Sequence, residues 1–153
     1  MSISLLLPNI TAAIASINVT GVTIRDTNNW SVAYPLVPNV LYPNPEGFLT
    51  NFSLQYQSFT RGANALVDVR YTLNYRFLGS AIGDNATIVT GWSDMIDKLT
   101  SIIAKMIETT APYDGRVDME VAEVTVGARA DPAGNMYHGA DIALTVTEMQ
   151  NAS

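Results

Sequence analysis

At 153 residues, with 48% hydrophobic and 14% charged side chains, the chain has the makeup of a globular protein rather than a disordered one, and its length suits a single domain over residues 1–153. The absence of cysteine removes disulfides, thiolate metal sites and a thiol nucleophile. Of the net charge of −6, five units fall in residues 101–153, which carry eight acidic and three basic groups; so acidic a chain lacks the basic footprint needed to grip nucleic-acid phosphates.

The opening stretch MSISLLLPNITAAIASI is apolar without a basic leader, and Ser4, Pro8, Asn9 and Thr11 interrupt it. It reads as a helix over 4–17 rather than a signal peptide or membrane span, with Ser2 or Ser4 as cap and Pro8 confined to about the first turn. A short strand is expected at 19–25, with Val22 and Ile24 on one face. The segment 26–47, DTNNWSVAYPLVPNVLYPNPEG, holds four of the seven prolines, which argues against both a helix and a central strand. Its Trp30, Tyr34, Leu41 and Tyr42 still need something to pack on, either their own domain or a neighbour.

Residues 48–59 alternate as a second strand, and Gly62 and Asn64 of RGANA turn it into VDVRYTLNYRF at 67–77. There Val67, Val69, Tyr71, Leu73, Tyr75 and Phe77 share one face, while Asp68, Arg70, Thr72, Asn74 and Arg76 share the other. LGSAIGDN at 78–85 breaks the pattern, and Asp84 or Asn85 caps a helix. The apolar stripe of that helix runs through Ile88, Trp92, Met95, Ile96, Leu99, Ile102, Ile103, Met106 and Ile107, and Pro112 and Gly115 end it. A final hairpin follows. Val117, Met119 and Val121 alternate with Asp118 and Glu120, the phase slips at Ala122–Glu123 as a β-bulge would make it, DPAG at 131–134 turns the chain, and Ile142, Leu144 and Val146 lie in the last strand. The order α-β-β-β-α-β-β predicts an α+β fold: one antiparallel or mixed sheet, two helices packed on one of its faces, and a long protruding hairpin.

No pattern for chemistry emerges. His138, the lone histidine, lies in NMYHG beside a turn and reads as a surface side chain. Asp131, Asp141 and His138 match no metal-loop spacing, and no phosphate-binding glycine motif or nucleophile elbow occurs. The residues point to no catalytic, cofactor or metal site.

The final hairpin, VDMEVAEVTVGARADPAGNMYHGADIALTVTEM, resembles the C-terminal hairpin of tail-terminator (tail completion) proteins from bacteriophages with long non-contractile tails. The likeness rests on the turn with Asp131 and Ala133–Gly134 and on the strand Ala140, Asp141, Ile142, Leu144, Val146, Thr147, Glu148 and Met149. ALVDVRYTLNYRFLGS resembles the central strand of the same family. The likeness covers about residues 48–149 and follows the order of elements, whereas segment 26–47 is longer than the family leads one to expect. It implies a structural part of the virion, assembled in the host bacterial cytoplasm, with no cofactor and no contact with membrane. Such proteins form a hexameric ring on the finished tail tube, stop its growth and offer a docking face to the head connector or stopper, while DNA passes through the lumen without sequence-specific binding. In this reading Arg61, Arg70 and Arg76 of one subunit meet Asp118, Glu120 and Glu123 of the next, and Trp30, Tyr34, Leu41, Tyr42 and Phe48 either dock on tube or connector or pack on the helices. The competing readings are a head–tail adaptor or stopper of the neck and, in a different class, a small-molecule-binding α+β module.

Overall fold

The computed structural model describes residues 7–25, 38–44, 53–58, 65–82, 88–108, 117–131 and 133–152. They form α1 (Leu7–Ala15), β1 (Thr23–Ile24), β2 (Val40–Pro43), β3 (Gln55–Ser58), β4 (Ala65–Ala81), α2 (Ile88–Glu108), β5 (Val117–Ala130) and β6 (Met136–Ala152). This is an α+β fold with two helices and a mixed six-stranded sheet in the order β1-β2-β4-β6-β5. β1 runs parallel to β2 and every other pairing is antiparallel. Because β6 occupies one edge of β4 throughout, β2 and β3 share the other: β2 lies against Tyr75–Leu78 and β3 against Val67–Arg70.

In α1 the buried Ile10, Thr11 and Ile14 recur at helical spacing. Pro8 sits in the first turn, where a missing N–H leaves no helical bond unmade. The Thr11 hydroxyl lies 3.1 Å from the carbonyl oxygen of Leu7 and 3.0 Å from that of Pro8, so a buried hydroxyl is satisfied within the helix. The helix ends two residues before the expected Ile17; residues 1–6, including the proposed caps, lie outside the described residues, as do Asp84, Asn85, Pro112, Gly115 and residues 61–64 of the expected turn. α2 buries Met95, Leu99, Ile102 and Met106 on the sheet. Its apolar stripe is wider than the face it buries, because Trp92 and Ile107 at the margin remain 48% and 51% exposed.

The core lies between these helices and one face of the sheet, where Tyr71, Leu73, Tyr75 and Phe77 of β4 and Ile142, Leu144 and Val146 of β6 are buried. The alternation read from the sequence therefore holds along β4. The strand does not stop at Phe77, however, but continues through Leu78–Ala81. Gly79 permits this. A Cβ there would stand 2.8 Å from the carbonyl oxygen of His138 and 3.1 Å from Met95, so only glycine lets β6 and α2 approach so closely.

Segment 26–47 requires a correction. Val40–Pro43, expected to be neither helix nor central strand, forms β2 between β1 and β4, and all four residues are buried. Pro43 is the last residue of the strand, so its missing donor does not interrupt Val40–Tyr42. The observed order thus has one strand more than expected, α-β-β-β-β-α-β-β.

The long hairpin expected of residues 48–59 and 67–77 does not protrude among the described residues: β3 pairs with β4 at Val67–Arg70, and β4 is held along its other edge by β6. The β5–β6 hairpin is likewise part of the sheet. β6 is paired to β4 from Ala65↔Ala152 to Ala81↔Tyr137, so the hairpin is built into the sheet along its length. Its interior follows the sequence closely. The register of β5 against β6 steps from Val121↔Leu144 to Glu123↔Ala143, leaving Ala122 as the extra residue of a bulge. At the tip, Gly134 adopts φ +89° and its N–H donates to the Asp131 carbonyl at 3.0 Å.

Candidate functional site

Both helices lie on one face; among the described residues no helix covers the other, and below its small apolar cluster this open face is where the charged side chains singled out by the sequence converge. The cross-strand register lays them out in rows. Gln55, Arg70, Thr147 and Asp118 form one row across β3, β4, β6 and β5; Thr72, Thr145 and Glu120 form the next; Asn74, Ala143 and Glu123 form a third. Arg70, Asp118, Glu120 and Glu123 are exposed. Two shallow hollows of about 310 and 320 Å³ share Gln55 and Arg70 and are floored by Thr72, Asn74 and Thr145 in one case and by Asp68 and Thr147 in the other. Their lining is mostly amides and hydroxyls, with the Arg70 guanidinium and one tyrosine in each and the Asp68 carboxylate in the second, which suits a wet protein surface better than the mostly apolar lining of a small-molecule pocket.

Higher on the same face the charges are satisfied within the chain. Asp141 accepts hydrogen bonds from Arg76 Nε at 2.8 Å and Arg129 Nε at 3.0 Å. The bond to Asp141 is the main reason the Arg76 guanidinium holds its proton even more firmly than usual. Tyr42, opposite Arg76 in the β2–β4 register, is pushed above the ordinary phenol value by burial, which outweighs the pull of Arg76 on its hydroxyl. Arg129 reaches Asp141 by lying across a glycine pair, Gly127↔Gly139. A Cβ on Gly127 would stand 3.1 Å from Arg129 Nη1, and one on Gly139 would stand 3.2 Å from Arg129 Cγ and 2.5 Å from the Phe77 carbonyl oxygen. Above this clamp, Val40, Tyr42, Leu78 and Tyr137 form a second, smaller apolar cluster.

Placed on this frame, the residues anticipated as interface separate. Arg70 and the acidic trio stand exposed on one face, and no ion pair within 4.0 Å joins them to one another. Arg76 belongs with Asp141, and this intramolecular pairing removes it from the proposed set. Arg61 lies outside the described residues. Among the residues anticipated for docking, Leu41 is fully buried in the main core and Tyr42 is 3% exposed in the second cluster, so neither meets a partner. Their β2 positions next to β4 are the reason. Trp30, Tyr34 and Phe48 lie outside the described residues.

His138 is not the surface side chain expected. Its β6 position places it in phase with Ala140 and Ile142, and its ring lies against Gly91 of α2, where an added Cβ would stand 3.0 Å from Cδ2. Missed altogether was a polar group inside the core. Glu148 is 0% exposed on the helix-side face, accepting hydrogen bonds from the Tyr71 hydroxyl and, at 2.6 Å, from Gln150 Nε2. The period was there to be read, since Glu148 and Gln150 continue the buried phase of Ile142, Leu144 and Val146. Among the described residues no group of three His, Asp or Glu side chains is placed to hold a metal ion, and no helix is long and apolar enough to cross a membrane.

Compared with known proteins, the chain matches no family model and no curated protein.

Proposed function

We propose that the chain is a structural virion protein of the tail-terminator kind. Copies close into a ring on the end of the completed tail tube, halt its polymerisation and offer a face to the head connector, and DNA passes through the lumen. The observation that carries this reading is the open sheet face, on which the Arg70 cation and the acidic groups Asp118, Glu120 and Glu123 stand exposed on strands at separate positions. Unlike charges separated across one surface favour contact with a sister copy rotated about an axis, which brings one margin of the face to the other margin of the next copy. The resemblance of the final hairpin and of β4 to the tail-terminator family supports the same reading.

The test is made on particles assembled without the protein. Overlong tails support a terminator. Tails of normal length on heads that leak DNA overturn it in favour of a head–tail adaptor or stopper. Light scattering of the purified chain, with negative-stain images showing a central hole, tests the ring directly.

A further inference from the structure

We infer that the first half of β5, Val117–Val121, accepts Ser53–Tyr56, the stretch that enters β3, of a second copy, so that the sheet continues head to tail from one subunit to the next. The inference rests on the ring reading above and identifies its joint.

β5 is an edge strand of 14 residues, and among the described residues nothing pairs with its outer side. At ~3.4 Å per residue such an edge runs for about 48 Å, and a long edge of this kind is a template for another chain unless it is blunted. Only its second half is blunted. The bulge at Ala122 interrupts the ladder, and beyond it the Arg129 guanidinium bonds the carbonyls of Ala128 and Thr125, at 3.0 and 3.3 Å. Val117–Val121 carries neither device.

The opposite margin of the sheet, at the same height, is β3. Gln55 and Asp118 lie in one cross-strand row, linked through Arg70 and Thr147. β3 runs opposite to β4, whereas β5 runs with β4, since each is antiparallel to β6. A rotation about an axis along the strands preserves both height and direction. It therefore sets β5 of one copy antiparallel to β3 of the next, with the open faces on the same side. The side chains agree with this arrangement. The exposed Gln55 amide can donate to Asp118, the Ser53 hydroxyl stands level with Glu120, and Arg70 is one strand behind Gln55. The two-fold alternative, β5 against itself over the same five residues, would set Asp118 opposite Glu120 of the other copy, and like charges directly opposite are unfavourable.

The chain has no cysteine, so the joint can be trapped by oxidation. In the variant carrying Gln55→Cys and Asp118→Cys, the two thiols of one molecule are separated by three strand spacings, about 14 Å, beyond the ~7 Å a disulfide can span between Cα atoms. Oxidation at concentrations where light scattering detects association should convert the monomer into a ladder of covalent multimers. Each single variant should stay uncrosslinked, as should Gln55→Cys with Thr125→Cys, which lies past the bulge. Dimers from Asp118→Cys alone, or an equal ladder from the Thr125 pair, overturn the inference. Absence of a ladder while the unmodified chain has the mass of a ring overturns this joint and leaves the ring standing. Absence of a ladder from a chain that is monomeric at every concentration overturns both.

Discussion

Asp131 gathers four donors at the tip of the last hairpin: the backbone N–H groups of Ala133 and Asn135, the Asn135 amide and the Tyr137 hydroxyl, at 2.9–3.2 Å. Burial works against its charge, but the hydrogen bonds from Asn135, Tyr137 and Ala133 outweigh burial and hold the carboxyl below its usual range. A carboxyl depressed on folding contributes stability that is present above its unfolded pKa and disappears as pH falls through the folded one. Asp131→Asn should therefore lower stability at neutral pH by about 1–3 kcal/mol, and the deficit should close in acid. Denaturant melts of both proteins across pH check this, and a deficit that stays constant with pH would show that the charge does not hold the turn. The Gly127↔Gly139 trough gives a second expectation at this scale. Gly139→Ala drives a methyl group into the Phe77 carbonyl, which is backbone and cannot swing aside, and should cost about 3 kcal/mol in the same melts.

At the scale of elements, α2 and β5 each carry a prediction. The helix buries Ile102 fully and leaves Trp92 half exposed. Ile102→Ala should therefore lower stability by about 2–5 kcal/mol, while Trp92→Ala stays within about 1 kcal/mol of the parent. In β5 the extra residue Ala122 does not serve the hydrophobic pattern, because deleting it leaves Val121, Glu123 and Val124 in regular alternation. Its physical role is to bend the strand and interrupt the edge. The deletion should leave the far-ultraviolet spectrum and melting midpoint nearly unchanged, yet raise self-association in sedimentation; a collapse of the fold would show that the bulge is structural. These two elements also show what was legible in the sequence. Period-2 alternation located β4, the bulge and β6, because each strand has one face on the helices and one on solvent. It failed at Val40–Tyr42 and Leu78, where the sheet is buried on both faces and no alternation survives. It overran at Trp92 and Ile107, because an apolar stripe states which side chains can be buried and leaves open how wide a surface the sheet offers.

For the whole molecule, association has to overcome like net charge, since every copy carries −6. Local pairing of unlike groups is what can do so, and Arg70 is the only exposed cation among the described residues of the open face close to the proposed joint, in the same cross-strand row as Asp118. Which charges are already paired within the chain was not legible in the sequence, because strand alternation places Arg70 and Arg76 on one face without showing that Asp141 holds Arg76. Reversing Arg70 should therefore act on assembly, and reversing Arg76 chiefly on folding. Arg70→Glu changes the local charge by two units at a range of roughly 8 Å from the neighbouring carboxylates, which in a water-like dielectric amounts to about 1 kcal/mol, or several-fold in the association constant. The loss should shrink at high salt, which screens exposed charges. It should also be partly restored by Asp118→Arg in the same chain, which exchanges the two signs across the joint. Concentration-dependent light scattering at low and high salt reads all three. A variant that associates as its parent does at both salts would mean that Arg70 faces only water and has no part in the proposed joint.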